Sequence, residues 1–195
     1  MSTQKIRLNL GCGRNRIEGW IGIDWAPQDP PVDVIADLNE CHTQPLPYAA
    51  DSVDEMLLSH TLEHIEASLG LMEELHRIAK PGMLLTVRTP YGSSDDADED
   101  PTHVWRYFIG SWGYFSQPFY WRADYGYRGD WKVESLTLVV SKAEYGAIDP
   151  QAILQKVYSL RNVVQEMVVV LSAVKPIREP LKELQPQTVV YFEYA

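Results

Sequence analysis

The sequence is poor in cysteine, in basic residues and in long apolar stretches. Its 195 residues include two cysteines, too few for a disulfide framework, which is typical of proteins in a reducing compartment. Lys and Arg number 17 against 27 Asp and Glu, a balance that disfavours nucleic-acid partners, because these normally meet a basic surface. No apolar run reaches 18 residues, and no basic and apolar leader opens the chain. We therefore expect a cytoplasmic protein without nucleic-acid or membrane partners.

The remaining composition is that of an ordinary globular protein. Apolar residues make up 45% of the chain and charged residues 23%, both close to the usual values. A chain of this length can bury roughly two-thirds of its unfolded surface as one unit. We therefore predict a single domain spanning residues 1–195.

A glycine turn between two short apolar runs is the most informative stretch. A β-prone run over residues 6–10 leads into Gly11-Cys12-Gly13, and a second run over residues 20–23 ends in Asp24. Strand, glycine turn, strand and acid together outline a nucleotide site in a doubly wound sheet. Ten residues separate Gly13 from Asp24, too few for the usual crossover helix. This predicts a shortened, one-turn crossover over residues 14–19 and disfavours a dinucleotide ligand.

Strand-like and helix-like segments then alternate along the chain. Short apolar runs predict strands over residues 32–37, 55–60 and 83–87, and apolar residues from 62 to 79 follow helical spacing. Such alternation predicts an α/β protein with helices on both faces of a mainly parallel sheet. Ligands of such sheets bind at the carboxyl ends of the strands.

Six blocks of sequence resemble the class I S-adenosylmethionine-dependent methyltransferases, in particular small bacterial members with a compressed first crossover. They are LNLGCG, GWIGID, VIADLNE, LPYAADSVDEMLLSHTLEHI, LHRIAKPG and DPTHVWRYF, all within residues 5–110. The resemblance implies a doubly wound, Rossmann-like sheet of seven strands in the order 3-2-1-4-5-7-6, with an antiparallel last strand. Residues 131–142 and 188–194 are the candidates for the last two strands. It also implies S-adenosylmethionine as cofactor and S-adenosylhomocysteine as product.

The same resemblance assigns residues to the cofactor. The glycine turn would lie under its methionyl and ribose parts, Asp24 would hold the ribose hydroxyls, and Trp25 would flank the adenine. Ser59 and His60 would border the sulfonium and its methyl group. The predicted cofactor site comprises Leu10, Gly11, Cys12, Gly13, Asp24, Trp25, Asp37, Leu38, Asn39, Ser59 and His60, with Asp37 and Leu38 at the adenine edge.

Residues 91–131 are predicted to form a lid insertion that holds the methyl acceptor. Five carboxylates lie between residues 95 and 100, and twelve of the 21 aromatic residues lie between residues 105 and 131. The acids form either a solvated loop or a mobile rim that favours a cation. The aromatic rings are divided between core and a lid that stacks on a sugar or an aromatic acceptor. The predicted acceptor-binding residues are Tyr91, His103, Arg106 and Trp112.

Two histidines are candidate general bases, because neutral imidazole suits the removal of a hydroxyl proton. His103 follows the fifth predicted strand in a loop able to reach the cofactor, although it could equally anchor the aromatic segment, residues 105–131. His60 ends the fourth strand and is the rival. His60 and His64 are four residues apart, as two metal ligands can be, but the sequence shows no third ligand beside them. No metal is predicted.

A long amphipathic pattern precedes the end of the chain. From Ile153 to Val174 apolar residues step by four and three after the helix start Asp149-Pro150. This predicts a helix over residues 149–175. The helix would pack on the sheet or form a homodimer contact through residues 153–174.

Together these features predict a methyltransferase that acts on a small molecule, with the hydroxyl of a sugar or a similar intermediate as the favoured acceptor. The alternative is a non-catalytic subunit that binds an S-adenosyl ligand or acts as a scaffold through its long helix. A nicotinamide-dependent oxidoreductase is disfavoured by the single GxG and the short crossover.

Overall fold

A central sheet of eight strands organises the part of the chain that the computed structural model describes, residues 5–195. Its strands are β1 Arg7–Leu10, β2 Ile21–Asp24, β3 Val34–Ile35, β4 Val53–Ser59, β5 Ala79–Pro90, β6 Trp131–Val140, β7 Glu166–Ala173 and β8 Val190–Tyr194. The α-helices are α1 Ser68–Ile78, α2 Asp96–Glu99, α3 Lys142–Tyr145 and α4 Pro150–Val157. Shorter 3₁₀ segments cover Leu38–Glu40, Leu62–His64, Ile109–Phe115, Gln117–Trp121 and Lys182–Leu184.

The strand order is β3-β2-β1-β4-β5-β7-β6-β8. Strand β1 pairs in parallel with β2 and β4, β2 with β3, and β4 with β5, whereas β7 is antiparallel to both of its neighbours. The predicted order 3-2-1-4-5-7-6 and the α/β class are thus confirmed. An eighth strand pairs in parallel with the outer edge of β6. The antiparallel strand is therefore residues 166–173, and its assignment to residues 188–194 was wrong.

The helix predicted over residues 149–175 was also wrong, because two different elements occupy this stretch. Asp149 does begin a helix, since its side chain accepts hydrogen bonds from the two amides after Pro150, but this helix ends at Val157. The chain then passes through Asn162, whose φ is 57°, and enters β7. In β7 the apolar residues that gave the helical spacing of four and three also belong to an alternating pattern of burial. Three successive β-branched valines in this stretch favour a strand. The buried side chains are Met167, Val169, Leu171 and Ala173.

The predicted homodimer contact at residues 153–174 has no basis in this arrangement. Most of the side chains that would have formed it lie in the core of the chain itself, and Leu160 is an exposed exception. The scaffold hypothesis loses the long helix on which it depended. The buried members are Ile153, Val157, Val164, Met167 and Leu171.

The first half of the chain follows the predicted alternation with shifted boundaries. The third strand is shorter than predicted, and the helix predicted from residue 62 begins as a 3₁₀ turn, with α1 starting at Ser68. Residues 11–20 connect β1 to β2 through hydrogen-bonded turns that contain no helix. Within residues 5–195, no helix is both long enough and apolar enough to cross a membrane.

A buried ion pair joins the aromatic segment to the segment after β7. Asp130 is fully buried, and its two carboxylate oxygens accept hydrogen bonds from Nη2 and Nε of Arg178 at 2.8 and 2.9 Å. The backbone amides of Gln117 and Arg178 complete the set of donors. The Asp130 carboxylate thus connects its own segment to those around Gln117 and Arg178, so we assign it a structural role.

Replacing this carboxylate tests the role of the pair. Asp130→Ala leaves the guanidinium of Arg178 without its partner, and we expect the free energy of unfolding to fall by about 3–5 kcal/mol. Urea denaturation followed by circular dichroism measures the change. The matched control is Asp124→Ala, which removes an exposed carboxylate paired with Arg128 and should cost much less. Equal losses in the two variants would contradict the assignment.

Candidate active site

A cleft of about 480 Å³ opens at the carboxyl ends of β1, β2 and β4. Parallel pairing aligns these ends, since Leu10 is opposite both Ile23 and Leu58. The cleft brings together seven of the eleven residues predicted for the cofactor. These are Gly11, Asp24, Trp25, Asp37, Leu38, Asn39 and His60.

Gly11 forms the floor of the cleft in a conformation that excludes other residues. Its φ is +64°, and a Cβ built there would lie 2.3 Å from Cγ2 of Thr61. The Thr61 hydroxyl donates to the carbonyl oxygen of Leu10 at 3.2 Å, which links the end of β4 to the end of β1. Thr61 escaped the sequence interpretation because nothing local indicates this contact.

Asp24 presents a fixed carboxylate at the end of β2. Its Oδ2 accepts from the Gly13 amide at 2.8 Å and its Oδ1 from the Trp25 amide at 2.9 Å. Each oxygen of a carboxylate can accept two hydrogen bonds, so the group can still accept two protons from vicinal hydroxyls. The indole of Trp25 is 73% exposed beside it and offers a face for an aromatic base. This donor and acceptor set fits an S-adenosyl nucleoside.

The opposite wall of the cleft is built on the 3₁₀ turn at Leu38–Glu40. Asp37 begins this turn, and its Oδ1 accepts from the Asn39 amide at 2.9 Å. The Asn39 side chain in turn accepts from the Glu66 amide at 2.8 Å. Asn39 thus connects this wall to the segment before α1, while Leu38 is buried beneath it.

Four residues predicted for the cofactor do not line the cleft directly. Leu10 and Cys12 are buried behind it, and burial raises the pKa of the Cys12 thiol. Gly13 acts through the amide that orients Asp24, and Ser59 ends β4 immediately before His60. These four residues therefore hold the lining residues in position and do not themselves face the cleft.

His60 lines the cleft in a strained conformation between two carboxylates. Its φ is 51°, a left-handed value that is uncommon outside glycine and often marks functional sites. Its Nδ1 lies 3.6 Å from Oε1 of Glu63, and its Nε2 lies 3.3 Å from Oε1 of Glu166. The contact with Glu63 and the charge of Glu166 raise the pKa of His60, although burial opposes them. Neither acid was predicted to belong to the site.

His103 faces a second cavity instead of the cofactor cleft. This cavity measures about 690 Å³ and is also lined by Arg106 and by part of the acidic loop. The ring of His103 packs edge-on against His64, with centroids 4.7 Å apart, and His64 lines the cofactor cleft. The two histidines therefore lie between the cleft and the cavity.

The four residues predicted to bind the acceptor fall into two groups. His103 and Arg106 line the 690 Å³ cavity, where Arg106 pairs with Asp98. Tyr91 is 3% exposed and packs against Phe108 outside this cavity. Trp112 is fully buried, stacks on Tyr107 with centroids 5.3 Å apart and donates from Nε1 to the sulfur of Met167. The structure thus places Trp112 in the core, so its predicted contact with the acceptor was wrong.

Comparisons with known proteins agree with this architecture. Residues 23–87 match a family model described as a methyltransferase domain. An S-adenosylmethionine-dependent methyltransferase from Archaeoglobus fulgidus superposes with a TM-score of 0.58 at 16% identity, covering 86% of each chain. One from Methanosarcina mazei gives 0.54 at 11% identity, covering 88% of this chain and 94% of its own. An arsenic(III) S-adenosylmethionine methyltransferase from Chlamydomonas reinhardtii gives 0.54 at 10%, covering 91% and 66%.

No curated protein sequence matches the chain significantly. At the identities of the solved structures the superpositions establish the fold, and the family match adds the methyltransferase domain. Residues 23–87 therefore carry a match to a methyltransferase domain, and the described chain shares the fold of these solved methyltransferases. The cleft fits the S-adenosyl group that these solved structures are named for.

We expect Asp24→Ala to lose most of the affinity for S-adenosylhomocysteine. Two charge-assisted hydrogen bonds to the ribose should contribute on the order of 2–4 kcal/mol, which corresponds to roughly a 30- to 800-fold rise in Kd. Isothermal titration calorimetry measures the change, and Asp24→Asn should show a smaller loss because it keeps the shape of the side chain.

The control is Glu55→Ala, which removes a half-exposed acid near the opposite end of β4. It should bind S-adenosylhomocysteine like the wild type, and melting curves should confirm that all three variants are folded. Unchanged affinity in folded Asp24→Ala would contradict the assigned role.

Proposed function

We propose that the protein methylates a hydroxyl group of a small polyhydroxylated molecule that binds in the 690 Å³ cavity beside the cofactor cleft. The observation that carries this proposal is the adjacency of the two spaces, which are separated by the edge-to-face rings of His64 and His103. S-adenosylmethionine supplies an electrophilic methyl group when it is bound. The residues of the chain have to bind the acceptor, orient it and take its proton.

The cavity has the lining expected for a hydroxyl-rich ligand. Arg106 and Arg161 provide donors, Asp98 and Asp100 provide acceptors, and Phe108, which is 42% exposed, provides an apolar face. Sugars commonly combine such hydrogen bonds with packing against an aromatic ring. The net negative charge of the loop at residues 95–100 disfavours acidic acceptors such as phosphates.

His60 is the better placed of the two predicted bases. It lines the cofactor cleft, whereas His103 lies beyond His64. Oε1 of Glu166 lies 3.3 Å from its Nε2, and a carboxylate next to imidazole both orients the ring and stabilises the imidazolium that forms on proton uptake. His60 therefore takes the proton of the acceptor hydroxyl in the proposed reaction.

The acceptor class can be tested with methyl-labelled S-adenosylmethionine. The protein is incubated with fractionated cell extract and, separately, with panels of sugars, phenols, amines, RNA and protein, and the labelled product is identified by mass spectrometry. We expect label on the hydroxyl oxygen of a small molecule, and none with Asp24→Ala. Label on RNA, protein or nitrogen would contradict the proposal.

The base can be tested once an acceptor is known. His60→Ala should lower kcat by roughly 10²–10⁴ while the affinity for S-adenosylhomocysteine, measured by calorimetry, remains within a fewfold of wild type. His42→Ala, which removes an exposed histidine, is the matched control and should leave kcat unchanged. Near-normal turnover by His60→Ala would show that the reaction uses another base or none.

A further inference from the structure

We propose that Glu63, His64 and His103 form a binding site for a divalent first-row transition-metal ion between the cofactor cleft and the 690 Å³ cavity. One ligand atom from each of these residues lies within 4.8 Å of the others. Two imidazole nitrogens and one carboxylate oxygen are a donor set that suits Zn²⁺, Fe²⁺ and Co²⁺. Bonds near 2.1 Å place ligand atoms roughly 3.0–3.5 Å apart, so side-chain shifts on the order of 1 Å would close the site.

The state of Glu63 is the observation that points to a cation. The residue is 1% exposed, and neither carboxylate oxygen has a hydrogen-bond partner within residues 5–195. His60 approaches it, but the 3.6 Å separation is longer than a hydrogen bond. A buried carboxylate without partners is costly, and a bound cation would satisfy it.

The backbone around Glu63 holds the carboxylate in this place. Its carbonyl oxygen accepts from the amides of Val104 and Trp105 at 2.8 and 3.2 Å. These bonds attach the segment that follows His103 directly to the residue that precedes His64. The three proposed ligands therefore share one fixed piece of backbone, as a preformed site requires.

Both histidine rings are already oriented through one nitrogen. Nδ1 of His64 lies 3.3 Å from the carbonyl oxygen of Thr102, and Nδ1 of His103 lies 3.3 Å from that of Ala97. A carbonyl oxygen can only accept, so Nδ1 carries the proton in each case and Nε2 keeps its lone pair. This is the usual arrangement of metal-binding histidines, whose other nitrogen donates to a carbonyl or carboxylate.

A further acid, Asp100, lies beside the proposed ligands. Oδ2 of Asp100 is 4.0 Å from Nε2 of His103. Its Oδ1 accepts from the hydroxyl of Thr102 at 2.6 Å, and that hydroxyl also contacts Nδ1 of His64. Asp100 and Thr102 thus connect the two histidines around the proposed ion.

The position of the site suggests its use, and this step rests on the proposed function. An ion held there would face the acceptor cavity through His103 and the cofactor cleft through His64. A divalent ion polarises a bound hydroxyl and lowers its pKa. It would therefore orient the acceptor oxygen and assist loss of its proton.

Metal binding can be measured without any turnover. The protein is dialysed against a chelator and titrated with Co²⁺ while visible absorption is recorded, and with Zn²⁺ by calorimetry. We expect one equivalent to bind, with no displacement by equimolar Mg²⁺, because imidazole is a poor ligand for Mg²⁺. His64→Gln, His103→Gln and Glu63→Gln keep the size of the side chains and should each weaken binding at least tenfold.

His42→Gln is the matched control and should bind metal like the wild type. The inference is overturned if the wild type binds no Co²⁺ or Zn²⁺, or if the folded variants bind as tightly as the wild type does. Should one variant fail to fold, the other two still decide the question. Metal binding together with full methylation of a hydroxyl by metal-free protein would refute only the assistance of the ion to the reaction, whereas metal binding together with methylation of nitrogen would refute the proposed function alone.

Discussion

The parallel pairing of β1 with both β2 and β4 is the constraint on which the site depends. This register brings three strand ends together and places Gly11, Asp24 and His60 along a single edge of the sheet. No local interaction would unite residues so far apart in sequence. The pairing also explains why a Cβ at Gly11 would meet Thr61, since the chain leaving β4 passes directly over the turn that leaves β1.

The short crossover decides which nucleotide fits. The amides of Gly11 and Cys12 donate to the carbonyl oxygen of Ile23, and the amide of Gly13 donates to Asp24. All three amides of the glycine turn are thus used within the protein, and no helix begins behind them. A dinucleotide pyrophosphate needs these donors and a helix N-terminus. The same geometry leaves the Asp24 carboxylate available for ribose, which suits a nucleoside without phosphate.

The sequence predicts the half of the site that depends on local signals. Glycine turns and acidic residues at the ends of short strands can be recognised in the sequence, and the resemblance to class I methyltransferases supplied their roles. The residues that were missed act through contacts distant in sequence. Glu63 was not singled out, and His64 was compared with His60 because they are four residues apart. Its actual neighbour is His103, which only the path of the loop after β5 brings within reach.

The wrong prediction of a helix over residues 149–175 and the failure to predict Glu166 as a site residue have the same origin. Residues 166–173 contain apolar residues at both helical and alternating spacing, and pairing with both β5 and β6 stabilises the strand. Because β7 is antiparallel, its first residue lies at the edge where the parallel strands end, and Glu166 is opposite Pro90. The antiparallel direction of β7 therefore places the carboxylate of Glu166 next to His60, although the two residues are far apart in the sequence. A helix in its place would have left the imidazole with a single acidic neighbour, so the strand that completes the sheet also completes the site.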